Sequence, residues 1–350
     1  MLKRGIQLVY SSFMVLLTGG TGILGMRMTY DLLAKGAEVG ILVRKDSDKK
    51  TFFKVIEFYH GSDAGRFKER IRWFEGDILD VDSLQLAITA ADRVIHAAAI
   101  VSFHPRDAAL MYETNRMGTA NVVNGCLNLD KRLLYVSSVA ALGRNTEHKT
   151  INEKSTWKDG PLNSKYAISK YNAELEVWRG MEEGLDAVIM NPSIIIGAGP
   201  VNKSSGTLYG SVIQGNRFYT EGIATAVDVR DVSEMGIALL DSDQQAQRFI
   251  MHSQQISYKE MFAEMAKGLG LKAPDIQASN WMLALGWRIM SAVDFIFRSK
   301  SRLTKETAMS SMNDYDYDNT KIQALLGKGF IPVREAIAYH AAYYRSSSAS

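Results

Sequence analysis

Cysteine is nearly absent from this chain, whose 350 residues hold a single one, Cys126. One thiol cannot build a disulfide framework or a multi-cysteine metal site, so no metal is expected and a reducing, cytoplasmic setting fits. Cys126 itself reads as a helix packing residue. Charge of one sign is lacking too. Against 41 basic residues stand 38 acidic ones, a formal charge of +3, too little for a nucleic-acid surface or an electrostatic membrane anchor. The expected partners are small molecules. No apolar run reaches the roughly 18 uninterrupted residues of a membrane span. Residues 281–297 come nearest, but Arg288 and Asp294 interrupt them. They read as an amphipathic helix of a substrate region, with peripheral membrane contact as the sharper alternative. Residues 1–13 are basic and then apolar, yet a glycine loop follows in place of a cleavage site, so they read as an N-terminal extension and not as an export signal. No repeat or low-complexity segment is evident apart from the tail 346–350, expected to be disordered.

What is present is an alternation. Short apolar runs and longer amphipathic ones succeed each other to about residue 196, the rhythm of a parallel sheet with helical crossovers. Strands are expected at 14–18, 38–43, 71–75, 93–96, 133–137 and 187–191, and helices at 23–35, 83–90, 108–127 and 164–182. Residues 45–70 suggest an extra helix of unassigned role. After Gly197 the alternation fades and glycine and serine become dense. The fold class is therefore α/β: a Rossmann-type doubly wound parallel sheet over 14–196, with a smaller C-terminal substrate-binding region over 197–345 interleaved with it.

Thr18-Gly19-Gly20-Thr21-Gly22-Ile23-Leu24-Gly25 follows the first strand and opens a helix. Gly19 permits a tight turn, Gly22 lets backbone approach a pyrophosphate, and Gly25 allows close helix-to-strand packing, while the helix N-terminus receives the negative charge. The second strand ends Val43-Arg44-Lys45 with no carboxylate at its tip. A basic residue there pairs with a 2′-phosphate, so NADP(H) is favoured over NAD(H), with Arg44 as the phosphate partner. The ordinary alternative is a solvated strand-end arginine.

Tyr166 and Lys170 are four apart and share one helix face. A free tyrosine exchanges protons poorly at neutral pH, and a nearby ammonium is expected to lower its pKa. Leu133-Leu134-Tyr135-Val136-Ser137-Ser138 reads as a buried strand ending in two hydroxyls at the sheet's carboxyl edge, where ligands bind. Ser138 is the candidate to bond a substrate oxygen as charge develops, with Ser137 as runner-up.

Together these motifs resemble the extended short-chain dehydrogenase/reductases, which include NAD-dependent sugar epimerases, dihydroflavonol reductases and 3β-hydroxysteroid dehydrogenases. The resemblance runs from Met14 to the final helix. It implies that Asp77, in Gly76-Asp77-Ile78, lies near adenine; that Ala97, Ala98 and Ala99 after His96 approach the cofactor backbone with Ile78; that Asn115, in Asn115-Arg116-Met117-Gly118-Thr119, supports the active site; and that Asn191, Pro192 and Ser193 lie beside the nicotinamide. Taken singly, Asp77 is equally a turn former, His96 a core histidine and Asn115 a helix residue bonded to backbone.

The fold hosts reductases, epimerases and dehydratases. Ala141-Leu142-Gly143 and Asn191-Pro192 stand where similar sugar epimerases carry Val-Tyr-Gly and an arginine, which disfavours nucleotide sugars. Ile100-Val101-Ser102-Phe103, the stretch from Asn191 to Gly197 and the stretch from Val227 to Val232 instead resemble the dihydroflavonol-reductase-like branch. The reading is NADP(H)-dependent interconversion of a carbonyl and an alcohol: hydride from the cofactor, a proton from Tyr166, orientation by Ser138 and electrostatic support from Lys170, with Asn115 completing the catalytic set. A nucleotide-sugar epimerase or dehydratase holding NAD, and a non-catalytic cofactor sensor, stay open. Residues 202–220, 281–297 and 315–317 are expected to line an apolar, aromatic substrate pocket. The resemblance implies a homodimer through 108–127 and 164–182, though monomers occur.

Overall fold

The protein is described by a computed structural model over residues 13–61, 64–144, 150–297, 304–306 and 315–348. The first half of the chain supplies β1 (Met14–Thr18), β2 (Glu38–Val43), β3 (Ile71–Glu75), β4 (Arg93–His96), β5 (Arg132–Val136), the two-residue β6 (Thr150–Ile151) and β7 (Ala187–Pro192). Between them run α1 (Ile23–Ala34), α2 (Lys49–His60), α3 (Val81–Thr89), α4 (Ala108–Tyr112), α5 (Gly118–Asn128) and α6 (Lys165–Glu182). The second half supplies β8 (Ile194–Ile196), α7 (Gly206–Ile213), β9 (Phe218–Tyr219), β10 (Ile223–Asp228), α8 (Val229–Leu240), β11 (Gln247–Met251), β12 (Gln254–Ser257), α9 (Tyr258–Leu269), β13 (Ile276–Gln277), α10 (Asn280–Phe297), β14 (Asp316–Tyr317), α11 (Thr320–Leu326) and α12 (Val333–Ser348).

Seven parallel strands form the central sheet in the order β11-β7-β5-β4-β1-β2-β3. The direction of chain travel across the sheet reverses between β1 and β4, the switch point at which such sheets open a ligand crevice. Each central strand is buried on both faces. Val15 and Leu17 of β1 face one core with α1 and α8, whereas Leu16 faces the other with α3, α5 and α6; Leu134 and Val136 alternate with Leu133 and Tyr135 in the same way. Cys126 packs in the second core, where burial pushes its thiol up to about 12.

Several expectations need revision. The strand expected at 133–137 ends at Val136, so Ser137 and Ser138 leave the sheet as a loop. The single helix expected over 108–127 is interrupted by a π-helical turn, Glu113–Met117. There Thr119 Oγ1 donates to the Asn115 carbonyl at 2.5 Å, and the Asn115 side chain turns inward onto the Ile100 backbone. The extra helix within 45–70 is α2, capped by Asp48, whose side chain accepts from the Thr51 amide, and followed by the 3₁₀ turn Ala64–Arg70. The tail expected to be disordered is helical through Ser348, and 349–350 lie outside the described residues, as does most of the 1–13 extension. Composition misled here because α12 is held by tertiary contacts: Tyr209 donates its hydroxyl proton to the Ile337 carbonyl and Tyr344 does so to Gly197, both at 2.9 Å.

The region after Gly197 is interleaved with the core by strand exchange, since β11 and α8 complete the central sheet's layers. A smaller sheet, β12-β10-β8, carries α7, α9 and α12 beside the cleft. Among the described residues no helix is long and apolar enough to cross a membrane.

Candidate active site

The carboxyl ends of β1, β2, β4, β5 and β7 open onto a cleft of about 770 Å³. At its phosphate end the β1–α1 turn is packed too tightly for side chains. Gly19 has φ +73°, and a Cβ on Gly25 would lie 2.2 Å from the Gly19 carbonyl oxygen. Gly22 caps α1 without a side-chain hydrogen bond, and the first turn has no acidic residue. The free amides and positive helix end therefore face the cleft beside Thr21, Ile23 and Leu24, which suits a pyrophosphate.

Arg44 lies at the rim beyond β2, 62% exposed, with Asp46 at 3.9 Å. Asp77 and Ile78 line the next stretch of wall. Asp77 is also the turn former: its Oδ1 accepts from the Leu79 amide at 2.9 Å. Ala97, Ala98 and Ala99 follow, with the Ala98 amide donating to Thr18 Oγ1 at 3.3 Å. His96 is a core histidine, bonded through its two nitrogens to Thr18 and Thr119 and held neutral by burial, at about 3.

Tyr166 and Lys170 enter from α6, whose N-terminus Ser164 caps by accepting from the Ala167 amide at 3.1 Å. Lys170 is only 2% exposed. Its ammonium donates to the Tyr135 hydroxyl at 2.9 Å and to the Val136 carbonyl at 3.0 Å. Burial lowers it to about 7, against the pull of Glu174. The expected depression of Tyr166 by Lys170 is not what the geometry produces. Burial raises the phenol, with Ser138 as the hydrogen-bonding neighbour that opposes this, while the lysine is turned toward Tyr135. Phe103 packs edge-on to Tyr166 at 5.8 Å.

Ser138 lines the cleft and accepts from the Ala140 amide at 3.2 Å. Ser137 also lines the cleft, but its hydroxyl proton is committed to Glu174 at 2.5 Å. Asn115 and Asn191 do not line the cleft. Asn115 is 1% exposed and ties Ile100 to Ser169; Asn191 donates to the Ser138 carbonyl at 3.0 Å and to Glu174 at 2.8 Å. Both lie behind the cleft wall. Pro192 and Ser193 do reach the cleft, and Ser193 Oγ is buried with no hydrogen-bond partner. An orphaned polar atom at the nicotinamide end, an uncapped helix at the phosphate end and the glycine cradle between them fit a dinucleotide.

Beyond Tyr166 the wall turns apolar and aromatic, with Val101, Phe103, Leu208, Tyr258, Tyr315 and Tyr317. Of the expected substrate segments, 202–220 contributes only its first part, and among the described residues of 281–297 none lines the wall. Helix α10 lies outside it, where Asp294 meets His104 at 3.2 Å and its carbonyl accepts from Arg106 at 2.7 Å. Among the residues in and behind the cleft that the sequence did not single out are Tyr135, Glu174, Tyr258 and Arg144. Glu174 had a visible signal, a carboxylate one helical turn past Lys170 and on the same face.

A family model described as NAD dependent epimerase/dehydratase matches residues 15–246. The chain is 28% identical to a putative dihydroflavonol 4-reductase of Synechocystis over 333 residues, 92% of this chain and 91% of the relative. It is 29% identical to cinnamoyl-CoA reductase 1 of Petunia hybrida over 251 residues, 69% and 72% of the two chains. Among solved structures, gox2253 superposes with TM-score 0.77 at 26% identity, covering 96% of this chain and 99% of its own. The NAD+ complex of WbmH from Bordetella bronchiseptica superposes at 0.73, with 20% identity and coverage of 95% and 98%.

Proposed function

The chain belongs to the NAD-dependent epimerase/dehydratase family, and we propose that within it this protein is an NADP(H)-dependent oxidoreductase interconverting a carbonyl and an alcohol on a small apolar or aromatic molecule. One observation carries the reading. Tyr166, Ser138 and Lys170 line one cleft with the glycine turn, and the wall beyond them is mainly aromatic and aliphatic, with Arg144 stacked over Tyr315. Gly19, Gly22 and Gly25 with the α1 amides would hold the pyrophosphate, Asp77 and Ile78 the adenosine side, and Pro192 and Ser193 the nicotinamide.

A bound nicotinamide would supply or accept the hydride. The chain's own residues handle the rest. The Tyr166 phenol, kept protonated by burial, donates a proton to the carbonyl oxygen in the reductive direction. Ser138 donates a hydrogen bond to the same oxygen as it gains charge. Lys170, held on Tyr135 and the Val136 carbonyl, places its ammonium in the wall behind them, and Asn115 holds the 100–103 loop in register with α6. Arg44, exposed at the rim and held only loosely by Asp46, would pair with a 2′-phosphate. The reductase names of the Synechocystis and Petunia relatives support the same class of reaction. A homodimer through 108–127 and α6 is supported by Leu110 on α4, Met117 on the π-helical turn and Ile168 and Leu175 on α6, all exposed.

The test is NADPH consumption across aldehydes, flavonoid-like ketones, steroids and acyl thioesters. Oxidation of NADPH by at least one of these classes, lost in Tyr166→Phe, is expected. Tightly co-purified NAD with no net redox turnover would overturn the reading in favour of an epimerase or dehydratase.

A further inference from the structure

Glu174 is a carboxylate only 2% exposed, on the buried face of α6 one turn beyond Lys170. A buried charge is retained only where it is fully paired, and every lone pair here has a use. Oε1 accepts from Arg248 Nη1 at 3.0 Å and from Trp178 Nε1 at 3.3 Å. Oε2 accepts from Ser137 Oγ at 2.5 Å and from Asn191 Nδ2 at 2.8 Å. The same Asn191 nitrogen reaches the Ser138 carbonyl at 3.0 Å. Arg248 is anchored in turn on the Glu153 and Ser155 carbonyls. One carboxylate thus ties together the ends of β5 and β7, the strand β11 and the helix that carries Tyr166 and Lys170.

We propose that Glu174 is the positioning residue of this site: through Ser137 and Asn191 it fixes the backbone that presents Ser138, and, one helical turn away, its carboxylate is the countercharge to the Lys170 ammonium. The inference rests on the catalytic reading of Tyr166, Ser138 and Lys170. The groups that face Lys170 are Tyr166 and Glu174 from α6, Tyr135 from β5 and His96 from β4, and the π-helical turn adds the neutral Asn115 at Ser169. Tyr135 and Tyr166 are raised and His96 is lowered, so all three are uncharged at neutral pH. Glu174 is the anion among them. Burial and Glu174 pull Lys170 in opposite directions, leaving it at about 7.

The test reads Lys170 directly, without substrate or cofactor. Protein carrying ε-¹³C-lysine is titrated by NMR, with Lys170→Met identifying the resonance. In Glu174→Gln the Lys170 midpoint should fall by about one pH unit, and Glu174→Asp, which keeps the charge, should restore it. A folded Glu174→Gln protein whose Lys170 titrates as in the wild type overturns the proposal. If Glu174→Gln fails to fold because Arg248 is left unpaired, the Glu174→Gln/Arg248→Met pair removes both charges and is read by the same titration. Absence of carbonyl turnover in the NADPH screen would count against the reductase reading and leave this titration result standing.

Discussion

Tyr166 and Arg44 carry opposite kinds of risk. The phenol of Tyr166 is buried, raised and positioned, so Tyr166→Phe removes one proton donor and little else. Turnover should fall about 10²- to 10⁴-fold with NADPH affinity nearly unchanged, as read by steady-state kinetics beside fluorescence binding. Retained turnover would exclude Tyr166 as the acid. Because burial raises Tyr166, the phenol stays protonated across neutral pH and any fall in reduction there reports Lys170, at about 7, whereas the reverse reaction, which needs the phenolate, should rise with pH. Arg44 is exposed and bound only loosely to Asp46. Arg44→Ala should weaken NADPH about tenfold or more and NADH much less; equal losses would remove the 2′-phosphate assignment. The types and spacings of these residues were readable along the chain. The turn of Lys170 toward Tyr135 was not, because strand β5 and helix α6 meet only in the folded sheet.

The β1–α1 turn shows what an element contributes that no single side chain does. Its glycines leave the α1 amides uncapped at the cleft, and Gly25 sits where a methyl group would enter the Gly19 carbonyl. Gly25→Ala should therefore cost about 1–3 kcal/mol in stability and abolish dinucleotide binding, measured by denaturant unfolding and fluorescence titration. Gly65→Ala, with nothing within 4 Å of its Cβ, is the control and should do neither. Gly25→Ala with wild-type binding would remove the turn from the cofactor site. Strand and helix positions near the sheet were legible to within a residue or two, since the alternation of Leu16 with Val15 and Leu17 is imposed by burial on two faces. The π-helical turn was not, because it is set by Asn115 reaching Ile100 across a loop.

Across the whole molecule, the C-terminal helix is locked to the core by a buried charge cluster. Asp228 accepts from Arg230 at 2.6 Å and meets His340 at 3.2 Å, with Asp228 and His340 both fully buried. For Asp228, burial alone would raise the carboxyl, but His340 and Arg230 outweigh it and hold it below the usual range; burial likewise keeps His340 below its ordinary 6.5. Both depressed values give stability that is present above the unfolded pKa and lost on acidification, His340 as pH falls below 6.5 and Asp228 as it falls below 3.8. Thermal stability should therefore fall from pH 6.5 downward, and Asp228→Asn should cost about 3–5 kcal/mol and remove the part of the loss that sets in below pH 3.8. An unchanged pH profile in that variant would dismiss the cluster as the acid-sensitive lock. The sequence alone determined the parallel α/β layering, the glycine loop and the placement of Tyr166 and Lys170 one turn apart on a single helix, because these follow from local periodicity and spacing. Tertiary structure alone decided that Asn115 and Asn191 work from behind the cleft, that α10 lies outside it and that the 346–348 tail is helical. Each of those depends on partners distant in sequence, and burial against a distant partner leaves no local periodic mark on the chain.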